Sequence, residues 1–241
     1  MKNKLISLLQ NIFGFENYLF IFSLFIYYKL KWDKNEKDFL KLFSLIHDDG
    51  IVLDIGANIG VMTAHFAKRL KKSEVYSFEP IPCNIMTLKR IIEFFKLKNV
   101  RLQEYALSDH DGEIGMILPI INSAKKQGLS HVINDSSKED GEIFKVPVKQ
   151  LDNIAELTNT DKRITAIKID VEGHELSVLK GAVELIKKNS PIIYCELWPG
   201  DQRNMMFDFM KSLNYTPKVI ENKKLTDFNS HKTQNFFFIP V

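Results

Sequence analysis

The stretch Ile51-Val52-Leu53-Asp54-Ile55-Gly56-Ala57-Asn58-Ile59-Gly60 constrains this chain more than any other. Five residues of strand character lead into two glycines, and Val61 to Leu70 then carries apolar residues at helical spacing. A glycine at a strand end lets the backbone turn sharply and lets a ligand approach closer than a Cβ would allow. The helix that follows aims unpaired N–H groups and its positive dipole end at whatever lies above the sheet. A dinucleotide site wants G-x-G-x-x-G, whose middle glycine admits a pyrophosphate. Here Gly56 and Gly60 are four apart, with Asn58 between them, and no P-loop lysine follows. Asp54 would repel phosphate but hold an ammonium group. The pattern therefore favours an adenosyl ligand with a cationic amino-acid tail over NAD. A plain packing turn in some other α/β protein is the competing reading.

From Ile51 onward, strand and helix patterns alternate, which predicts a parallel sheet covered on both faces. A second strand, Glu74 to Phe78, ends in Glu79-Pro80. An acid roughly 20 to 25 residues past the glycine turn can accept hydrogen bonds from both ribose hydroxyls. Pro82 opens a helix through Phe95, with Asn84 in its first turn facing back toward the pocket. Asn99 to Tyr105 reads as the third strand, followed by Ala106-Leu107-Ser108-Asp109, where Ser108 and Asp109 border an adenine or simply make a turn. Ile164 to Ile169 is a buried strand ending in Asp170-Val171-Glu172-Gly173-His174-Glu175. Alternation puts Asp170 and Glu172 on one side, near the mouth of the pocket. Such a cluster suits a cofactor amino group, a substrate hydroxyl needing a base, or a divalent metal. The plain alternative makes Glu172 and Glu175 helix-dipole partners. One helix is expected from there to about Lys188. Pro191 to Cys195 is a further strand, ending in Glu196-Leu197-Trp198, and Met205 to Leu213 is a helix. Tyr215 to Ile220 and Asn235 to Ile239 form a closing pair, with Phe236-Phe237-Phe238 in the core.

Between these lies a departure from the alternation. Glu113 to Leu118 and Ile143 to Val148 read as two strands bracketing a polar segment, Lys125 to Gly141. Loops inserted above a sheet shape specificity. Gln127, Ser130 and His131 are its compact group of donors, acceptors and a titratable ring, although a lone loop histidine is commonly just solvated.

The 241 residues, 45% of them hydrophobic, suffice for one domain with an extension. The net charge is +3 and lysines are interleaved with acids, so no basic stripe argues for nucleic acid. Cys83 and Cys195 lack metal-ligand spacing and read as reduced thiols of a cytoplasmic protein, with no metal site expected. Residues 1–49 read as a helical extension. Within it Tyr18 to Tyr28 is almost continuously apolar, yet shorter than the roughly 20 residues that span a bilayer. It reads as a helix packed on the domain, with peripheral membrane contact as the alternative.

These residues together resemble the FkbM-type S-adenosylmethionine-dependent methyltransferases. The match runs through Asp54 to Gly60 with Thr63, Phe78 to Pro82 with Asn84, Ala106 to Asp109, and Lys168 to Gly173 with Glu175, Leu179, Gly181 and Ala182. It covers roughly residues 50–241, the expected methyltransferase domain. The resemblance implies an α/β, Rossmann-like class I methyltransferase fold: a mainly parallel seven-stranded sheet with helices on both faces and a strand-loop insertion. It implies transfer of a methyl group from S-adenosylmethionine to a hydroxyl of a sugar, glycan or natural product; the nearly balanced charge separately argues against a nucleic-acid partner. A membrane-bound glycolipid acceptor and a non-catalytic cofactor-binding module are the alternatives. On that basis Asp54, Gly56, Ala57, Asn58, Gly60, Thr63, Glu79, Pro80, Asn84, Ser108, Asp109 and Asp170 are expected around the cofactor. Gln127, Ser130, His131, Glu196 and Trp198 are expected near the acceptor, with Glu172, His174 or His131 as the base.

Overall fold

Alternation along the strands decides the layers of this protein. The computed structural model describes residues 2–30, 32, 37–133, 139–222, 224–229 and 233–241; most of the charged linker expected at 34–38, and part of the Lys125 to Gly141 segment, lie outside the described residues. The chain begins with α1 (Lys2–Phe13), α2 (Phe15–Lys29) and α3 (Lys37–Leu42). There follow β1 (Ile51–Ile55), α4 (Val61–Arg69), β2 (Glu74–Phe78), α5 (Pro82–Phe94), β3 (Val100–Gln103), β4 (Ala106–Leu107), β5 (Gly112–Ile121), β6 (Ala124–Lys125), β7 (His131–Val132) and β8 (Gly141–Lys149). Then come α6 (Ala155–Thr158), β9 (Ile164–Ile169), α7 (Glu175–Lys180), α8 (Val183–Asn189), β10 (Ile192–Glu196), α9 (Asp201–Ser212), β11 (Tyr215–Glu221), β12 (Lys224–Asp227) and β13 (Asn235–Pro240).

The main sheet runs β12-β11-β13-β10-β9-β1-β2-β3. Its β10-β9-β1-β2-β3 part is parallel, and β13, β11 and β12 close it antiparallel. This is the expected class I fold with eight strands rather than seven among the described residues. The extra one is β12, a four-residue edge strand with too little periodicity to read. Ile51, Leu53 and Ile55 pack on the side of α7, α8 and α9, whereas Val52 packs on the side of α3 and α4. The same alternation splits the buried triplet Phe236-Phe237-Phe238, its outer two rings on one side and Phe237 on the other.

The N-terminal extension begins with two helices bent by 117° at Gly14, and Tyr18 to Tyr28 lies within the second. One helical expectation is corrected. The helix after β9 breaks at Gly181, where a Cβ would come within 2.0 Å of the Ser108 carbonyl oxygen. That close approach is tertiary and leaves no periodic signature.

The insertion is a second sheet, β4-β8-β5-β6, with β7 paired to β5. Its centre is the long antiparallel β5–β8 pair, Gly112↔Val148 to Pro119↔Gly141. Met116, Leu118 and Val146 pack with Ile81 beneath it, which holds the insertion over the turn that follows β2.

Candidate active site

The strand ends of β1, β2 and β9 face a cleft of about 640 Å³, part of it open to solvent. Gly56 and Asn58 come from the turn after β1, Glu79 to Ile81 from the turn after β2, and Asn84 from the start of α5. Asp170 to Glu172 and His174 come from the turn after β9. Tyr105 to Leu107 and Met116 form an apolar wall, and Gln127, Gly128, Ser130 and Val132 of the insertion close the site.

Glu79 is 4% exposed and held by three N–H donors. Its Oε2 accepts the Asn58 N–H (2.8 Å), and its Oε1 accepts the Ile81 N–H (2.9 Å) and the Asn84 amide (3.1 Å). Burial pushes its carboxyl above the usual range, and the three N–H donors pull the other way. A carboxylate has about four acceptor sites, so one remains on Oε2 for a ligand hydroxyl.

Beneath the cleft, β1 and β9 pair Asp54 with Lys168 in register. Asp54 is fully buried; its Oδ2 accepts the Thr63 hydroxyl (2.6 Å), and its Oδ1 lies 3.4 Å from the Lys168 ammonium without a hydrogen bond. Lys168 donates to the Gly56 carbonyl (3.0 Å) and lies 3.7 Å from Asp170. Burial works against its charge, but Asp54 and Asp170 overcome it and raise its pKa. Asp54 is therefore spent on Thr63 and Lys168 below the cleft floor and is not presented to an amino group. Asp170, with 44% of its side chain exposed, is the acid left at the floor.

The two glycines of the opening stretch are explained by packing. Gly56 has φ +72°, and a Cβ there would lie 1.9 Å from the Asp170 carbonyl oxygen; at Gly60, φ +82°, it would lie 2.5 Å from a Leu88 methyl. Gly56 thus closes the β1 and β9 ends together, while Gly60 starts α4 against α5.

On the acceptor side, Glu172 has a left-handed backbone (φ +49°). It borders both the cleft and a wider groove of about 830 Å³ that also touches Leu129, His131, Glu139 and Asp140. Burial, with Asp170, Glu196 and Glu175 nearby, raises its pKa to about 7, against a smaller pull from His131. His174 Nε2 sits 2.9 Å from the Ser108 hydroxyl, and burial lowers its pKa, which keeps the ring neutral. Glu175 folds back to accept the Gly173 N–H (2.9 Å), as a helix-start partner would.

Several expected residues stand elsewhere. Ala57, Gly60 and Thr63 lie behind the cleft wall, since the turn and Asp54 consume them. Ser108 is fully buried behind His174, and Asp109 bonds Ser108 and His110, so this part of the cleft wall is made by Tyr105, Ala106 and Leu107 instead. His131 faces the groove rather than the cleft. Its Nδ1 is 2.9 Å from the Leu129 carbonyl and its Nε2 3.4 Å from Glu139. Trp198 lies on a separate surface hollow with Leu197 and Arg203, and Glu196 is outside the cleft lining. Lys168 and Tyr105 are among the site residues that the sequence reading did not assign. Lys168 had a signal, a lysine between isoleucines in a buried strand, which demands a counter-charge. Tyr105 had none, because it reads as the last residue of β3.

The family model for the methyltransferase FkbM domain matches residues 54–217, more than half of the chain. The chain belongs to the FkbM methyltransferase family. Methyltransferase 1 of Beauveria bassiana is 29% identical over 148 residues, covering 56% of this chain and 59% of that protein. Hexuronic acid methyltransferase AglP of Haloferax volcanii is 24% identical over 211 residues, covering 84% of this chain and 79% of that protein. The chain thus spans less than two thirds of the first of these relatives. In fold it is similar to the crystal structure of an FkbM methyltransferase from Methylobacillus flagellatus KT: TM-score 0.53, 17% identity, 80% of this chain and 44% of that one. The cofactor of this FkbM domain is S-adenosylmethionine. The donor set fits it: Glu79 retains an acceptor for a diol, Asp170 offers a carboxylate to an ammonium, and the Tyr105 to Leu107 wall suits a flat base.

Proposed function

We propose that this chain transfers a methyl group from S-adenosylmethionine to a hydroxyl oxygen of a sugar, glycan or natural product, with Glu172 as the base. The observation that carries this reading is the position of Glu172, on the border between the enclosed cleft and the open groove, with a pKa of about 7. A base poised near the working pH is the most effective, because it is deprotonated yet still binds a proton well. Bound in the cleft, S-adenosylmethionine supplies an electrophilic methyl and leaves as S-adenosylhomocysteine. The acceptor enters from the groove, its hydroxyl proton passes to a Glu172 carboxylate oxygen, and its oxygen keeps the electron pair that bonds the methyl carbon. Glu79 and Asp170 hold the donor, and the groove holds the acceptor in line, which is the larger part of catalysis for a displacement of this kind. The 24% identity to a hexuronic acid methyltransferase supports a sugar acceptor.

The test is transfer of labelled methyl from S-adenosylmethionine to a panel of nucleotide sugars, lipid-linked glycans, polyketide alcohols and RNA. Label on a hydroxyl of a sugar, glycan or natural product supports the proposal. Label confined to RNA or protein overturns it, as does binding of the cofactor with no S-adenosylhomocysteine released from any acceptor.

A further inference from the structure

The helix α1 is held by both polar and apolar contacts and still leaves a row of apolar side chains outside. Gln10 is buried and bonds both the N–H and the carbonyl of Lys125, Asn3 accepts from the Lys126 ammonium, and Ile6 and Leu9 pack inward, while Lys4 and Asn11 are exposed. Its apolar residues Leu5, Leu8 and Ile12, at i, i+3 and i+7, each leave more than half of their surface in solvent. The helix α2 repeats this on its outer side. Ile21, Phe25 and Tyr28 form an i, i+4, i+7 stripe, again each more than half exposed. The inner side of α2 is already used: Ser23 donates to the Ile59 carbonyl (2.8 Å), and Tyr27 stacks on His65 with ring centres 4.2 Å apart.

Apolar side chains in a row on the outer side of a helix mark a surface that takes a partner or a membrane. Charge indicates the occupant. Residues 1–32 hold four lysines and one glutamate, which equals the +3 of the whole chain, so the remaining residues balance to zero. Apolar stripes on a basic segment match an anionic bilayer surface, where the stripes enter the headgroup region and the lysines meet phosphate. A spanning arrangement fits less well. Among the described residues no single helix is long and apolar enough to cross a membrane, and α1 and α2 could do so only as a pair bent by 117°. For α2 to span, it would also have to give up Ile59 and His65.

We propose that the outward faces of α1 and α2 dock this protein on the surface of an anionic lipid bilayer. The docking face is coupled to the site, because Gln10 and Asn3 grip Lys125 and Lys126, immediately before the Gln127–Ser130 segment that lines the cleft. The proposal stands independently of which acceptor is methylated.

The full chain is to be sedimented with vesicles of equal parts phosphatidylglycerol and phosphatidylcholine, and with phosphatidylcholine alone. Binding is expected to be about tenfold stronger to the anionic vesicles, and Ile21→Ser with Phe25→Ser, or Leu5→Ser with Leu8→Ser, is expected to lower it about tenfold while S-adenosylhomocysteine affinity holds. A second readout leaves the face intact. The chain has two tryptophans, so Trp198→Phe leaves Trp32, which is 75% exposed just beyond α2, as the only one. Its emission is expected to shift to the blue when anionic vesicles are added. Three results each overturn the proposal: protein that stays in the supernatant with unshifted Trp32 emission, a dimer that buries these six side chains, or vesicle-bound protein that resists both high salt and carbonate washing.

Discussion

The turns after β2 and β9 flank the end of β1, and each carries a glutamate facing the same cleft, yet the two are opposites. Glu79 is buried, held by three N–H donors and fixed in place. Glu172 sits on a left-handed backbone at the edge of the groove, and burial, with three other carboxylates nearby, pushes its pKa to about 7. A carboxylate fixed by three donors with one acceptor to spare positions a ligand, whereas one raised by burial and neighbouring like charge exchanges protons near neutral pH.

The largest expected effect breaks the floor shared by both turns. Lys168→Met leaves Asp54 buried without its cation and is expected to cost about 3–5 kcal/mol, read by urea unfolding; a loss below about 1 kcal/mol would mean that the pair is not what joins β1 to β9. Next is Glu172→Gln, expected to lower turnover about a hundredfold, or about 2.7 kcal/mol, with affinity for S-adenosylhomocysteine unchanged in calorimetry. Loss of affinity in this variant would move Glu172 to the cofactor side and erase the contrast with Glu79. Glu79→Ala strands three N–H donors and is expected to weaken cofactor binding by about 1.5–3 kcal/mol; unchanged affinity removes it from the donor site. A smaller effect concerns stability and pH. The folded-state pKa of Glu172 is raised from 4.5 to about 7, so between those values the folded protein holds a proton that the unfolded chain has released. Its contribution to stability is present below pH 4.5 and falls as pH rises through 7, and Glu172→Gln should flatten that slope. The smallest effect is Trp198→Ala, expected to change stability and turnover by less than about 0.5 kcal/mol, because that ring lies outside the cleft.

The strands β1, β2 and β9 and the turns that end them are legible in the sequence because each is a short apolar run closed by a glycine or an acid. Less legible is what the turns hold. Asp54 and Lys168 look unrelated until the register of β1 against β9 sets them side by side. Gly56 reads as room for a ligand, but the Asp170 carbonyl fills that room. The cleft wall after β3 is made by Tyr105 to Leu107 rather than Ser108 and Asp109, because Ser108 turns inward to His174. The short strands β4, β6, β7 and β12, of two to four residues, carry no period to detect. The outward apolar face of α1 is visible only once Gln10 is seen bonded to Lys125.

The most direct test of Glu172 as the base is the pH profile of methyl transfer under saturating cofactor, wild type beside Glu172→Gln. The wild-type rate is expected to rise as one ionisation with a midpoint near pH 7, and the variant to lack that step between about pH 5 and 9. The same midpoint in Glu172→Gln, or a flat wild-type profile over that range, would contradict it.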